Sequence, residues 1–350
     1  MKAHIFSLKQ SCLEDWLVEN KEKKFHAAQI LEWIYVKGVE SWDEMTNLSK
    51  SLRLRLKDAF CFSSLTLLRC QESKDGETQK FLWRMSDGAL VESVLIYCEG
   101  RRTVCVSSQV GCPARCAFCA SGQSGFFRNL SVSEIVEQVW KINHYLQKKN
   151  EKVTNIVFMG MGEPLENIDA VIEAIGIFNN PKLMNFSQRR ITVSTVGVVE
   201  GIKRLGQEGL KVNLVLSLHA PNQHIRKKII PYARKYFLEE IMSSMDEYFS
   251  LTKRDITYEY ILISKINDQL THARELARLL EGRQGCVNLI PYNPVFGVSL
   301  KRPSKETVFS FRKVLDDAGI VNTCRYTKGD DIAAACGQLA FQKEELPKGQ

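Results

Sequence analysis

Apolar positions recur at helical spacing near the start of the chain. In "FHAAQILEWIYVKG" (25–38), Ala27, Ile30, Leu31, Ile34 and Tyr35 fall at i, i+3, i+4, i+7 intervals, and Gly38 follows as a stop. "SWDEMTNLSKSLRLRLKDAF" continues the stripe with Leu48, Leu52 and Leu56. Residues 1–60 therefore read as a small helical accessory domain. The period then changes. "TQKFLWRMSDGALVESVLIY" holds two β-rich runs around Asp87-Gly88, a strong hairpin signal, so 61–100 reads as a β-hairpin extension leading into the core.

From residue 101 to about 320 the pattern is rhythmic. "TVCVSSQ" (103–109), "NIVFMGMG", "RRITVST", "KVNLVLSLHA", "DITYEYILI" and "CVNLIPYNP" are strand-like. Amphipathic helical stretches follow each, beginning with "SVSEIVEQVWKINHYLQKK" (131–149), which Ser131 or Ser133 opens as a cap. Residues 321–350 read as a C-terminal strand and loop. Six β–α units in succession imply an α/β fold with a parallel sheet and helices outside, either open or curved into part of a barrel. No GxGxxG follows the first strand, which argues against dinucleotide binding. In either arrangement the site belongs at the carboxyl ends of the strands. The conspicuous polar stretches fall there: the cysteines after the first strand, "GMGEP" (160–164), "STVG" (194–197), "SLHAPN" (217–222) and "YNP" (292–294).

Composition narrows the class. The 350 residues are 44% hydrophobic and 25% charged, ordinary for a globular chain that builds its own core. No apolar run reaches the roughly 18 residues a membrane span needs, and the N-terminus has no apolar signal region, so the expected location is the cytoplasm, with no membrane partner. The net charge of +8 is uneven. Residues 1–100 carry 14 basic against 15 acidic side chains, so the excess lies beyond them. Between Lys182 and Lys235 there are 11 basic residues and two acids, Glu200 and Glu208. A basic face over this stretch suits a polyanion such as RNA; a plain solvated surface is the alternative.

Eleven cysteines, an odd number at irregular spacing, do not form a disulfide framework in a reducing compartment, and most read as small buried hydrophobes. The exception is "VGCPARCAFCASG" (110–122), where Cys112, Cys116 and Cys119 lie within eight residues. A structural zinc site wants four ligands; no second CxxC exists, though Cys105 is available as a fourth. A 4Fe–4S cluster takes four thiolates, so three would leave one iron open for a substrate or cofactor. In "GMGEP", Gly160 and Gly162 permit close backbone approach to a ligand, and Glu163 offers an acceptor for an ammonium group.

The CxxxCxxC in a loop after the first strand of a β/α fold, with Phe118 before the third cysteine, resembles the radical S-adenosylmethionine (SAM) superfamily. "VCVSSQVGCPARCAFCASGQSGFFRNL" (104–130) and "GDDIAAACGQL" (329–339) narrow this to the adenosine-C2 RNA methyltransferases of the RlmN type. The similarity extends through "GALVESVLIY", "FMGMGEPLEN", "NLVLSLHAPN" and "NLIPYNP". The related Cfr-type C8 methyltransferases usually lack the proline at 164 and carry a basic residue at 291, so Pro164 and Pro291 favour the C2 type.

The resemblance implies a partial (β/α)6 TIM-like barrel with a helical accessory domain. It implies one 4Fe–4S cluster on Cys112, Cys116 and Cys119, with the open iron chelating SAM. Two SAM molecules are used per turnover. Cys336 takes a methyl group from the first and becomes S-methylcysteine. Cleavage of the second yields a radical that removes a hydrogen from that methyl, and the resulting carbon radical adds to the base. Glu92 takes the carbon-2 proton, and Cys105 attacks Cys336 to form a transient disulfide that releases the RNA. Cofactor contacts carry over to Gly162, Glu163, Ser194, Ser217, Leu218, His219 and Asn293. The implied partners are 23S rRNA, tRNA and an electron donor such as flavodoxin or ferredoxin, and a monomer suffices. One departure is Ala333, where the family usually has an acid; the expectation is a more loosely positioned C-terminal loop. Cys12, Cys61, Cys70, Cys98, Cys286 and Cys324 match no motif and read as structural. Two competing readings are a Cfr-type C8 methyltransferase and a zinc-stabilised RNA-binding protein without catalysis.

Overall fold

A computed structural model describes residues 2–325 and 328–340. Ten strands form one sheet: β1 (Thr66–Glu72), β2 (Thr78–Arg84), β3 (Leu90–Cys98), β4 (Arg101–Cys105), β5 (Asn155–Phe158), β6 (Ile191–Thr195), β7 (Asn213–Ser217), β8 (Ile256–Leu262), β9 (Gly285–Pro291) and β10 (Asn322–Cys324). Their order across the sheet follows their order in the chain. From β4 to β10 every neighbouring pair is parallel. The first and last strands of this parallel run do not pair, so the barrel stays open, as the partial β/α barrel requires.

The crossovers are α4 (Val132–Gln147), α5 (Ile168–Asn179), α6 (Val199–Gln207), α7 (Leu238–Thr252), α8 (Leu270–Leu280) and α9 (Lys305–Asp317), preceded in the chain by α1 (Gln10–Glu19), α2 (Phe25–Tyr35) and α3 (Lys50–Ala59). Ser131 opens α4 in a capping box with Glu134, each side chain bonding the other's backbone N–H. The central strands bury on both faces: Leu214 and Leu216 lie on one face of β7 and Val215 on the other, and all three are buried.

Three expectations are corrected here. The 61–100 segment is more than a hairpin. β2 and β3 pair across the Asp87-Gly88 turn as read, but β1 adds a third antiparallel strand, and all three continue the parallel sheet through β4. The first core strand ends at Cys105, not at 109. Gln109–Gly111 instead pairs with Phe126–Asn129 in a two-stranded ribbon that frames the cysteine loop. The unassigned cysteines are not buried hydrophobes: Cys12, Cys70 and Cys98 are exposed, and Cys61, Cys286 and Cys324 are half-buried. Cysteine is small enough for an outer helix or edge-strand position to tolerate it without a core partner.

The helical N-terminal module is tied to the core by one buried acid. Glu137 of α4 accepts from the Ser64 N–H at 2.9 Å, the Ser64 hydroxyl at 2.9 Å and the Ser63 hydroxyl, and faces His4 Nε2 at 3.2 Å. Burial pushes the Glu137 carboxyl up, but the bonds from His4, Ser63 and Ser64 outweigh it and hold it below the usual range. Trp140, further along α4, donates to the Ile34 carbonyl at 2.7 Å and ties α2 to the same helix.

Candidate active site

The carboxyl ends of the parallel strands enclose a cleft of about 130 Å³. Cys112, Cys116, Phe118 and Cys119 line it together with Gly162, Glu163, Ser194, Ser217, His219 and Cys336. The loop holding the three cysteines is fixed by backbone bonds. Cys112 N–H donates to Gly125 O at 2.9 Å, Ala117 N–H to Ile229 O at 2.9 Å, and Ala120 N–H to Gly337 O at 2.7 Å. Burial pushes all three thiols up, and for Cys112 and Cys116 the neighbouring thiols add to it. They are protonated in the cluster-free chain, and loading metal must release those protons. Among the described residues, no group of three or more His, Cys, Asp or Glu converges on a single metal ion. Three thiols lining one cleft match the donor set of a cubane, in which each thiolate meets a different iron. The donor set therefore fits a 4Fe–4S cluster with an open cleft beside it.

Glu163 caps the turn after β5. Its two carboxylate oxygens accept from the Leu165 N–H at 3.0 Å and the Val196 N–H at 2.8 Å. Burial nonetheless pushes its carboxyl up to about 7. The folded value lies above the unfolded one, so the apo chain loses stability as pH rises from about 4.5 to 7. The penalty above that range is on the order of 3 kcal/mol. Glu163→Gln, which cannot ionise, is expected to remove this pH dependence: in urea melts of the cluster-free chain, its stability relative to wild type should shift in its favour by about 1–3 kcal/mol from pH 5 to pH 8. An equal effect at both pH values would show that Glu163 is not carrying this buried charge.

His219 is buried as well. It adopts a left-handed φ of 56°, and its ring stands edge-on to Phe118 with centroids 4.9 Å apart. Burial, with the Arg226 charge nearby, lowers its pKa to about 3. Its Nδ1 accepts the Ile261 N–H at 3.0 Å. The ring is therefore neutral with its proton on Nε2. Ser194 and Ser217 hydroxyls lie 3.2 Å apart on the adjoining strand ends.

Not every predicted contact lies in the cleft. The Leu218 side chain is sealed in the core, and only its neighbours Ser217 and His219 face inward. Asn293 is buried behind the C-terminal loop, where it donates to Cys336 O at 3.2 Å. Gly160 and Gly162 are needed by the protein's own backbone. A Cβ would come within 2.7 Å of the Ser107 hydroxyl at Gly160 and 2.6 Å of Gln109 Cβ at Gly162, where φ is 106°.

Cys336 sits in a wall shared by two cavities. It also lines a second one, of about 70 Å³, together with Cys105, Met159 and Arg325. Cys105 is the last residue of β4 and is buried; burial and then the Cys336 charge push its thiol up to about 12, with Arg325 opposing. Arg325 Nη1 lies 3.6 Å from Cys336 Sγ and 3.7 Å from Glu259 Oε1. Cys336 is exposed as a residue, but the protein packed around its sulfur raises the thiol, and Arg325 draws it back. The loop around it is held by the Ser121 hydroxyl on Leu339 O and by Gln338 Nε2 on Pro294 O at 2.9 Å. Ala333 itself has a left-handed φ of 49°, and its carbonyl accepts from Lys80 Nζ at 3.5 Å.

Glu92 does not point into solvent. It is fully buried and pairs with Lys80 Nζ at 3.0 Å. Lys80 thus links Glu92 to the Cys336 loop. The pairing was legible: across the Asp87-Gly88 turn, Lys80 and Glu92 fall diagonally opposite on the same face. Gln109 and Asn167 carried no such signal. Gln109 Oε1 accepts the Glu163 N–H at 2.8 Å, and Asn167 Nδ2 bonds Ser108 O and Leu130 O.

The basic stretch 182–235 does not form one face. Arg189 and Arg190 precede β6 and Lys211 precedes β7, at the end of the sheet away from the cysteines. Arg226 to Lys235 follow β7 on the cleft side, and Arg226 is buried.

Comparison with known proteins agrees with this geometry. Residues 3–62 match the "Ribosomal RNA large subunit methyltransferase N-terminal domain", and residues 106–277 match the "Radical SAM superfamily". A protein of Protochlamydia amoebophila named "Probable dual-specificity RNA methyltransferase RlmN 2" is 66% identical over 96% of this chain and 94% of its own. The chain belongs to the RlmN family. Another relative, "Probable dual-specificity RNA methyltransferase RlmN" of Lysinibacillus sphaericus, is 46% identical over 98% of this chain and 90% of its own. The crystal structure of a radical SAM methyltransferase from Sphaerobacter thermophilus superposes with a TM-score of 0.94 at 42% identity, covering 96% of this chain and 99% of that one. RlmN membership of the radical SAM superfamily implies a 4Fe–4S cluster and SAM. Among the described residues, no helix is long and apolar enough to cross a membrane.

Proposed function

We propose that this RlmN-family chain methylates carbon 2 of adenosine in 23S rRNA and in tRNA, through a methylated Cys336. The observation that carries the reading is the position of Cys336 between the three-cysteine cleft and the Cys105 cavity. Carbon 2 of adenine has no lone pair, so direct displacement on SAM is closed to it, and a carbon carrier on the protein is needed. The bound cluster and SAM supply the radical chemistry that activates that carrier. Cys112, Cys116 and Cys119 would hold the cluster. Glu163 would accept from the SAM ammonium, and the neutral His219 would donate its Nε2 proton into the cleft.

The remaining residues handle protons and sulfur. Arg325 favours the Cys336 thiolate, the form that attacks a methyl group. Glu92 would take the carbon-2 proton and become neutral, with Lys80 beside it holding the carboxylate in place beforehand and steadying the loop at Ala333. Cys105, across the second cavity, would attack the Cys336 sulfur to form a disulfide as the carbon–sulfur bond breaks, and the departing carbon would take a proton to become the methyl group of the product. Exposed Lys228, Arg234 and Lys235 on the cleft side would meet RNA phosphates. Anaerobic reconstitution with iron, sulfide, SAM and a 23S rRNA fragment tests the reading. Mass spectrometry of the digested RNA should show 2-methyladenosine. 8-Methyladenosine would instead place the chain's activity with the Cfr type, and zinc without iron in the purified protein would leave an RNA-binding role.

A further inference from the structure

Arg226 is the anomaly of the cleft. It sits in the short helix Gln223–Ile229, inside a run of three basic residues, yet it is 1% exposed while Lys228 faces solvent. Its donors go to carbonyls: Leu218 O at 3.2 Å, Ser217 O at 3.4 Å and Val196 O. Among the described residues it forms no ion pair, although Glu163 and Cys116 lie within reach of its field. A guanidinium buried without a carboxylate partner is costly, and a fold keeps one when something else supplies the opposite charge. Burial lowers its pKa only to about 10, so the charge persists at neutral pH.

Its surroundings say where that opposite charge arises. The helix that carries it meets the cysteine loop through the Ala117 N–H bond to Ile229 O. The Val196 peptide is gripped from both sides, its N–H by Glu163 and its carbonyl by Arg226. Arg226 lines neither cavity, so it stands one layer behind the wall formed by Cys116, Glu163 and His219. An iron–sulfur core held by three thiolates is net negative, and one unit more negative after reduction. We propose that Arg226 is a positioning residue for the cluster: its buried charge is the internal counter-ion that keeps the cluster reducible. The inference rests on the functional reading above. Cluster potentials respond to net charge and burial, and a fixed cation behind one ligand thiolate favours the reduced state.

The test is an equilibrium redox titration, followed by the electron paramagnetic resonance of the reduced cluster, on full-length protein reconstituted anaerobically. Arg226→Gln is expected to lower the equilibrium constant for reduction about tenfold, equivalent to about 59 mV for a one-electron couple. Arg226→Lys, which keeps the charge, should titrate near the wild type. Lys228→Gln, two residues along and exposed, should leave the midpoint in place. An Arg226→Gln protein that holds its cluster at the wild-type midpoint overturns the inference. If Arg226→Gln loses the cluster, Arg226→Lys decides: retention supports the counter-ion, and equal loss shows that only the carbonyl bonds mattered. Failure of wild type to bind four irons would overturn the functional reading itself, a result distinct from an unmoved midpoint.

Discussion

Cys336→Ala is expected to lose methyladenosine formation completely, a fall on the order of 10³-fold or more, while still assembling the iron–sulfur cluster. Two cysteines touch both cavities, Cys119 and Cys336. In the proposed scheme Cys119 is a cluster ligand with Cys112 and Cys116. Cys336 is left as the thiol that can accept a methyl group on one side and meet Cys105 on the other. Alanine removes the only carbon carrier in the scheme, and losing a covalent nucleophile is not made good by binding alone. The loop should stay in place. Its anchors are the Gly337 and Leu339 carbonyls, the Gln338 side chain and the Cys336 carbonyl, none of which needs the Cys336 sulfur. Iron content and the cluster spectrum should therefore match wild type, and RNA mass spectrometry should show no methylated adenosine. A variant that methylates at the wild-type rate would place the carrier elsewhere and remove the basis for this chemistry.

The parallel core was readable because each strand is a short apolar run that ends in polar residues, and each helix has a 3.6-residue stripe. That is why the carboxyl-end stretches at 112–119, 160–164, 194–197 and 217–222 converge as expected. What one-dimensional pattern could not convey is which side of a backbone a residue faces once the chain turns. Leu218 lies between two cleft residues, yet its side chain turns into the core, because Leu218 and His219 both donate their N–H groups to Glu259 O as the strand ends. Arg226 looks like a member of a basic patch, and helix rotation buries it while Lys228 faces water. Gly160 and Gly162 are glycine for the sake of the Ser107–Gln109 backbone, a contact between segments far apart in the chain. The missing acid at 333 is likewise met at a distance. Lys80 reaches the Ala333 carbonyl from β2, and Asp331 takes the Lys74 N–H at 2.9 Å.

Cys105→Ala should have the opposite signature to Cys336→Ala: product attached, not product absent. If the methylene on Cys336 bonds to carbon 2, the RNA is held by a thioether until another sulfur attacks Cys336. Cys105 shares the cavity; the other cysteines lining it among the described residues are Cys336 itself and Cys119, which the scheme gives to the cluster. Without it, a protein–RNA adduct should rise from a trace to nearly one per chain, visible as a band that survives denaturing electrophoresis and disappears in the double variant with Cys336→Ala. The wild type adds a check by pH. Burial, and then the Cys336 charge, push the Cys105 thiol up to about 12, with Arg325 pulling down. Once Cys336 carries carbon its charge is gone, so the second of these causes vanishes and Cys105 ionises more readily in the adduct than in the resting chain. It remains mostly thiol at neutral pH, and its thiolate fraction rises about tenfold per pH unit below its pKa. Decay of the adduct in a single turnover should therefore speed up between pH 7 and pH 9 with a slope near one. A flat profile, or a Cys105→Ala protein that turns over freely with no adduct, would assign the release of RNA to some other group.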